Sequence, residues 1–128
     1  MSDKLQFSLV SPERELFNGE VDQVDVPGTE GDFGVLPLHA PFMAAIRTGA
    51  ITVFNDGAET KYMIQGGFAD VTPDGLTVLA ERATLLEDVD AESLAAEIAS
   101  AEQALDAAEG DAKLDVAQHL EGLKSLQA

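Results

Sequence analysis

The hydrophobic repeat of this chain changes once, near residue 86, and that change constrains the fold more than any other feature. Before it, Leu5, Phe7 and Leu9 alternate with Lys4, Gln6 and Ser8; Val21, Val24 and Val26 are interleaved with Asp22, Gln23 and Asp25; Ile51 and Val53 follow Gly49. A period of two places alternate side chains on one face, as a half-buried strand requires. After it, Leu94, Ile98, Ala101, Leu105 and Ala108 fall four, three, four and three residues apart, the narrow seam of a helix pair. The expected fold class is therefore β + α: an N-terminal flattened antiparallel β-sandwich or barrel over residues 1–86, followed by a C-terminal antiparallel two-helix hairpin over residues 87–128.

Turn chemistry marks the joints. Ser11-Pro12, Asn18-Gly19, Pro27-Gly28, Asn55-Asp56-Gly57 and Pro73-Asp74-Gly75 read as breaks, the last two as compact hairpin turns because Asn, Asp and Gly tolerate positive φ. Gly66-Gly67 inside an apolar run predicts a bulge or a close backbone approach. In the helical half, Glu109-Gly110-Asp111 interrupts the seam, with Gly110 suited to end the first helix and Asp111 to cap the second. The second helix should place Val116, Leu120 and Leu123 on one side, flanked by Ala112, His119 and Leu126. The seam is half alanine, and about four Leu, Ile or Val side chains at roughly 1.5–3 kcal/mol each barely offset the ordering cost. Ala-rich helices that dock marginally describe a movable arm.

Charge narrows the partners. The 128 residues carry 24 acidic and 7 basic side chains, a formal charge of −17. Phosphate backbones and anionic lipid repel such a chain, so nucleic acid and an electrostatic membrane anchor are excluded and protein partners are expected. No apolar run approaches the ~20 residues that span a bilayer, and Met1-Ser-Asp-Lys lacks the basic start of a signal peptide, so the chain is expected to start near Met1 in a cytoplasm-like compartment. Zero cysteines exclude disulfides, zinc thiolates and thiol catalysis.

A catalytic constellation is hard to assemble. There is no HxxxH, GxSxG or phosphate loop. His39, between Pro37 and Pro41, reads either as a general base or as a contact residue held in an X-Pro turn. His119 on the packed side of its helix reads as structural, against the first helix. Glu87-Asp88-Val89-Asp90 lacks the alternation and glycine of a calcium loop and suits a helix N-terminus, where negative charge is favoured. The densest signal is the stretch Pro27 to Pro41, PGTEGDFGVLPLHAP, whose three glycines and three prolines predict irregular backbone rather than a strand. Its Phe33, Val35, Leu36 and Leu38 are too apolar to be left in water, so it either packs inward or meets a partner.

Three stretches, VSPERELFNGEVDQVDVPGTEGDFGVLPLHAP at Val10 to Pro41, GGFADV at Gly66 to Val71 and TVLAERA at Thr77 to Ala83, resemble the epsilon subunit of the rotary proton-translocating ATP synthase, called delta in mitochondria. The resemblance is strong to residue 86 and loose beyond it. It implies a β-sandwich with a two-helix appendage, and a non-catalytic rotor role in the central stalk. Its partners would be the gamma subunit and the c-ring loops, with the alpha/beta catalytic head met only indirectly. No cofactor is implied, and the location would be peripheral, on the cytoplasmic face of the bacterial inner membrane. By the same resemblance Glu30, Gly31 and Asp32, with Phe33 beside them, face the c-ring, while Ser11 and His39 lie near the gamma and c-ring junction.

This sequence departs from the family pattern in three places. Leu38 stands where many members have glycine. Nucleotide-binding members open the first helix with Ile or Leu, Asp, two variable residues, Arg and Ala; here Asp90 is the only remnant and Ser93 replaces the arginine. From Glu87 onward eleven acids face only Lys113 and Lys124, so an arm that inhibits by inserting basic faces among acidic segments would be repelled. The expected arm is a weak inhibitor or none. The alternative is a regulatory nucleotide-sensing inhibitor subunit of the same complex.

Overall fold

The computed structural model describes residues 4–37 and 40–127. Eight strands come first: β1 (Leu5–Val10), β2 (Glu15–Val21), β3 (Gln23–Gly28), β4 (Gly31–Val35), β5 (Phe42–Ile46), β6 (Gly49–Asn55), β7 (Ala58–Thr72) and β8 (Gly75–Leu85). A short 3-10 turn, Leu86–Asp88, leads to helices α1 (Ala91–Ala107) and α2 (Asp111–Ser125). The strands run in the order β2-β1-β8-β7-β5-β3-β4, with β6 paired to both β3 and β7. This is the expected β-sandwich with two C-terminal helices.

The sandwich is a single sheet folded on itself, and the alternation of buried residues shows where it folds. In β7 the inward residues are Tyr62 and Ile64, then Ala69 and Val71; in β5 and β6 they are Ile46, then Ile51 and Val53. In β8 they are Leu76, Val78 and Ala80, after which Ala83 and Leu85 pack against the core. Parity switches in all three at one line, through Arg47-Thr48, Gly66-Gly67 and Glu81-Arg82. Gly66 (φ 75°) and Gly67 (φ 133°) make the switch possible in β7. The pairing of β7 with β8 keeps one register from Tyr62↔Leu85 to Thr72↔Gly75, so no extra residue is inserted there. The close approach is real: a Cβ on Gly67 would lie 2.2 Å from the Leu79 carbonyl oxygen.

Several local expectations gave way to long-range pairing. Asn18-Gly19 is not a turn but lies within β2, Asn18 opposite Ser8 and Gly19 opposite Phe7. The Phe7 and Phe17 rings stack there at 5.5 Å between centroids, so core burial decides the conformation. Pro27-Gly28 ends β3 without interrupting it. The stretch from Pro27 contains a true strand, β4, paired with β3 from Val24↔Val35 to Gly28↔Gly31 across a Thr29-Glu30 turn. Leu38 and His39 lie outside the described residues. The first and last strands, β1 and β8, pair in parallel, so the sheet is not wholly antiparallel. The Asp56-Gly57 and Pro73-Asp74 turns stand where their chemistry placed them.

The helices pack through Leu94, Ile98, Ala101, Leu120, Leu123 and Leu126, with Met63 of β7 completing the cluster. Ala112, expected beside the seam, is exposed. The joint differs from expectation by one step: α1 ends at an extended Ala108, and Gly110 (φ 64°) is the N-cap of α2, so Asp111 is its first helical residue and caps nothing with its side chain. Positive φ at Gly110 is what reverses the chain within three residues. Gly122 seats α2 on the sandwich, since a Cβ there would lie 1.9 Å from the Thr48 carbonyl oxygen. Among the described residues no helix is long and apolar enough to cross a membrane.

Candidate functional site: two surfaces at one end of the sheet

The outer face of the sheet carries an apolar row. Cα partners run Val10↔Leu79, Leu79↔Phe68 and Phe68↔Ala45, so four strands contribute one residue each to a line across β1, β8, β7 and β5. Phe68 and Leu79 are each 56% exposed, and Met43, two residues before Ala45 on β5, is 66% exposed. A shallow groove of about 290 Å³ follows the row, lined by Val10, Ser11, Pro12, Phe68 and Leu79. Lone exposed apolar residues are ordinary, but a cross-strand row is a surface shaped to be covered.

Ser11 sits at the edge of this groove, as the first residue after β1. It is buried, and both its amide (2.9 Å) and its hydroxyl (3.2 Å) donate to the Arg14 carbonyl oxygen, closing the turn into β2. Ser11 thus shapes the rim of the groove by closing this turn.

The β3–β4 tip forms the second surface. Glu30, Gly31 and Asp32 are exposed, and Gly31 (φ 136°) adopts a conformation disfavoured for other residues. Phe33 is half-buried edge-on against Phe42, ring centroids 5.1 Å apart. Asp32 accepts from the Arg47 guanidinium at 2.6 Å. The Thr29 amide donates to Ala45, which ties the tip to the end of the apolar row. Ser11 and the tip therefore lie at opposite ends of this cross-strand row, four strand spacings of ~4.8 Å apart when counted along the curved sheet. The structure brings Glu30 to Phe33 together as a unit, and His39 lies outside the described residues.

Chemistry-bearing residues elsewhere have structural partners. His119 Nδ1 meets the Thr48 hydroxyl at 2.6 Å, so its hydrogen-bond partner lies on the sandwich, while His119 also lines a groove with Glu97, Ser100, Ala101 and Ala104 of the first helix. Asp90 is the N-cap of α1, accepting from the Glu92 amide (3.3 Å) and the Ser93 hydroxyl (3.2 Å). Lys4 bridges Asp22 (2.7 Å) and Asp56 (3.0 Å), and Asp22 also accepts from the Asp56 amide, which clips the N-terminal strand to two turns. Hydrogen bonding to Asp22 and Asp56 raises the Lys4 pKa, and the bond from Lys4 lowers that of Asp22. Among the described residues no group of three His, Cys, Asp or Glu side chains is arranged to hold a metal ion.

Sequence reasoning missed Phe68 and Leu79 as surface residues. A signal existed: once parity is reset at Gly66-Gly67, Phe68 falls in phase with Asp70, and Leu79 with Thr77 and Glu81, on the water-facing side. Without that reset, Phe68 continues the inward parity of Tyr62 and Ile64 and reads as core.

Three comparisons place the chain among known proteins. The family model described as the beta-sandwich domain of the ATP synthase delta/epsilon chain matches residues 4–86. The ATP synthase epsilon chain of Maricaulis maris is 58% identical over 120 residues, 94% of this chain and 90% of the relative. That of Caulobacter vibrioides is 69% identical over 81 residues, 62% of this chain but 93% of its own, so it has little chain beyond one such domain. Among solved structures, a chain of the Euglena gracilis mitochondrial ATP synthase, OSCP/F1/c-ring in rotational state 1, shares the fold at a TM-score of 0.79 and 23% identity, covering 96% of this chain and 79% of that one.

Proposed function

Because the chain belongs to the ATP synthase delta/epsilon family, we propose that it is a non-catalytic rotor subunit of the central stalk, joining gamma to the c-ring and supporting the coupling of proton flow to ATP synthesis. Residues 1–86 do the joining and residues 87–128 form an accessory arm. The apolar row from Val10 to Ala45 docks gamma, with Ser11 on its rim. The exposed tip, Glu30 to Phe33, meets the polar loops of the c-ring. The subunit is held peripherally at the cytoplasmic face of the bacterial inner membrane through these partners.

One observation carries this reading: Phe68 and Leu79, adjacent on neighbouring strands, are more than half exposed on a chain otherwise rich in surface acid. Water disfavours such a pair, and a protein partner that covers it gains the burial. The nucleotide-sensing alternative loses support because Asp90 is engaged in its own helix cap and Ser93 completes that cap.

The test is a full-length double variant, Phe68→Glu with Leu79→Glu, mixed with gamma. A central apolar contact is worth about 2 kcal/mol or more, so affinity should fall by at least about thirtyfold while circular dichroism is unchanged. A folded double variant that binds gamma as tightly as the parent chain would overturn the assignment of this face.

A further inference from the structure

We propose that the docked C-terminal hairpin fixes the shape of the β3–β4 tip, so that arm position and tip conformation form one coupled state. The tip has little to hold it from within. Glu30, Gly31 and Asp32 are exposed, and nothing lies within 4 Å of the space a Gly31 side chain would occupy. Beyond the β3–β4 ladder its order depends on a few polar contacts; α2 supplies one of them and supports another.

Gln118 Nε2 donates directly to the Thr29 carbonyl oxygen at 3.1 Å, at the root of the tip. One residue on, His119 holds the Thr48 hydroxyl, and one turn further Gly122 rests on the Thr48 carbonyl oxygen. That same oxygen accepts from Arg47 Nη1 at 2.9 Å, while Arg47 Nη2 holds Asp32 at 2.6 Å. The Arg47 amide in turn donates to the Pro27 carbonyl. Lifting α2 removes one partner of the tip outright and frees the Thr48 peptide that positions the arginine on the other side. The side-chain bonds of α1 to the sandwich, from Arg82 and Gln65 to Glu97, lie on β8 and β7 and do not reach the tip.

Such coupling is reciprocal: whatever binds the tip in its docked shape also favours a docked arm. Its meaning for the motor rests on the reading of the tip as a contact surface, but the contacts themselves do not.

Amide hydrogen exchange on full-length variants tests it. Gly122→Val forces α2 off Thr48, and exchange at Thr29 to Asp32 should rise about tenfold, while the β1–β2 amides stay within about twofold. Gln118→Ala leaves Gly122 seated and deletes one hydrogen bond, so the same amides should exchange about threefold faster with α2 still protected. The coupling is overturned if the tip is unchanged in Gln118→Ala, or unchanged in Gly122→Val with α2 deprotected. Should α2 stay protected in Gly122→Val, the Gln118→Ala result alone decides. Tip variants that leave c-ring association intact while the exchange coupling holds would sink the contact reading and spare this one.

Discussion

The sandwich and the hairpin are built from similar side chains but are held in opposite ways. The sandwich core has seventeen buried apolar residues among those described, drawn from all eight of its strands. The hairpin cluster has seven, and one of them, Met63, belongs to the sandwich. The first region folds because its own strands cover each other. The second holds strong local helix propensity and needs a neighbour to complete its seam. One region is therefore the scaffold of the other, and only the hairpin needs its neighbour to complete a core.

Core truncation should divide the two most sharply. Phe7 and Leu123 are both fully buried. Phe7→Ala should cost about 3–5 kcal/mol of sandwich stability, whereas Leu123→Ala, at about 2–5 kcal/mol, should release the hairpin alone. Tyr62 is the single tyrosine and there is no tryptophan, so its fluorescence reports the sandwich while far-ultraviolet dichroism is dominated by the helices. Coincident loss of both signals in Leu123→Ala would break the comparison.

Alkaline titration probes the sandwich next. Burial raises the Tyr62 pKa above 10.0. Its stabilising contribution is complete below pH 10 and is lost as pH rises through the folded value, so the midpoint in urea, followed by hydrodynamic radius, should fall there. A Tyr62→Phe chain that loses stability equally above pH 10 would assign the effect to another group.

Smaller effects sharpen the division of labour. Asp32→Ala removes an exposed ion pair with Arg47, worth about 0–1 kcal/mol, and should weaken c-ring association modestly with the melting profile intact. A collapse of the fold would make Asp32 structural. Smallest of all, removal of residues 88–128 from the assembled complex should change ATP hydrolysis by less than about threefold, under ~0.7 kcal/mol in barrier, because the arm carries eleven acids and two lysines from Glu87 onward. A tenfold rise would show that its apolar seam inhibits despite the charge.

Much of this was legible, for reasons that name themselves. The switch of period near Leu86 marks the change from strand to helix, and the Asp56-Gly57 and Pro73-Asp74 turns follow from local backbone chemistry. What escaped depends on distant partners. Asn18-Gly19 has turn chemistry but is recruited by β1, β4 hides in a stretch rich in Gly and Pro, and nothing local announces the parallel pairing of β1 with β8. Helical spacing put His119 on a packed side but could not say that Thr48 waits there. The tip and Ser11 came from family resemblance, and Phe68 was lost to an uncounted change of phase.

The fold line through Thr48 and Gly66-Gly67 has a mechanical consequence. Two separate sheets in a sandwich can slide over one another, since only side chains join them. Here the 15-residue β7 runs unbroken through both leaves and is hydrogen-bonded on either side of the crease. A twisting load applied at Phe68 travels along covalent backbone into the far leaf, and shear between the leaves is blocked. The body gives way first by peeling at its edges, β2 and β4, which makes it a stiff washer rather than a pair of plates.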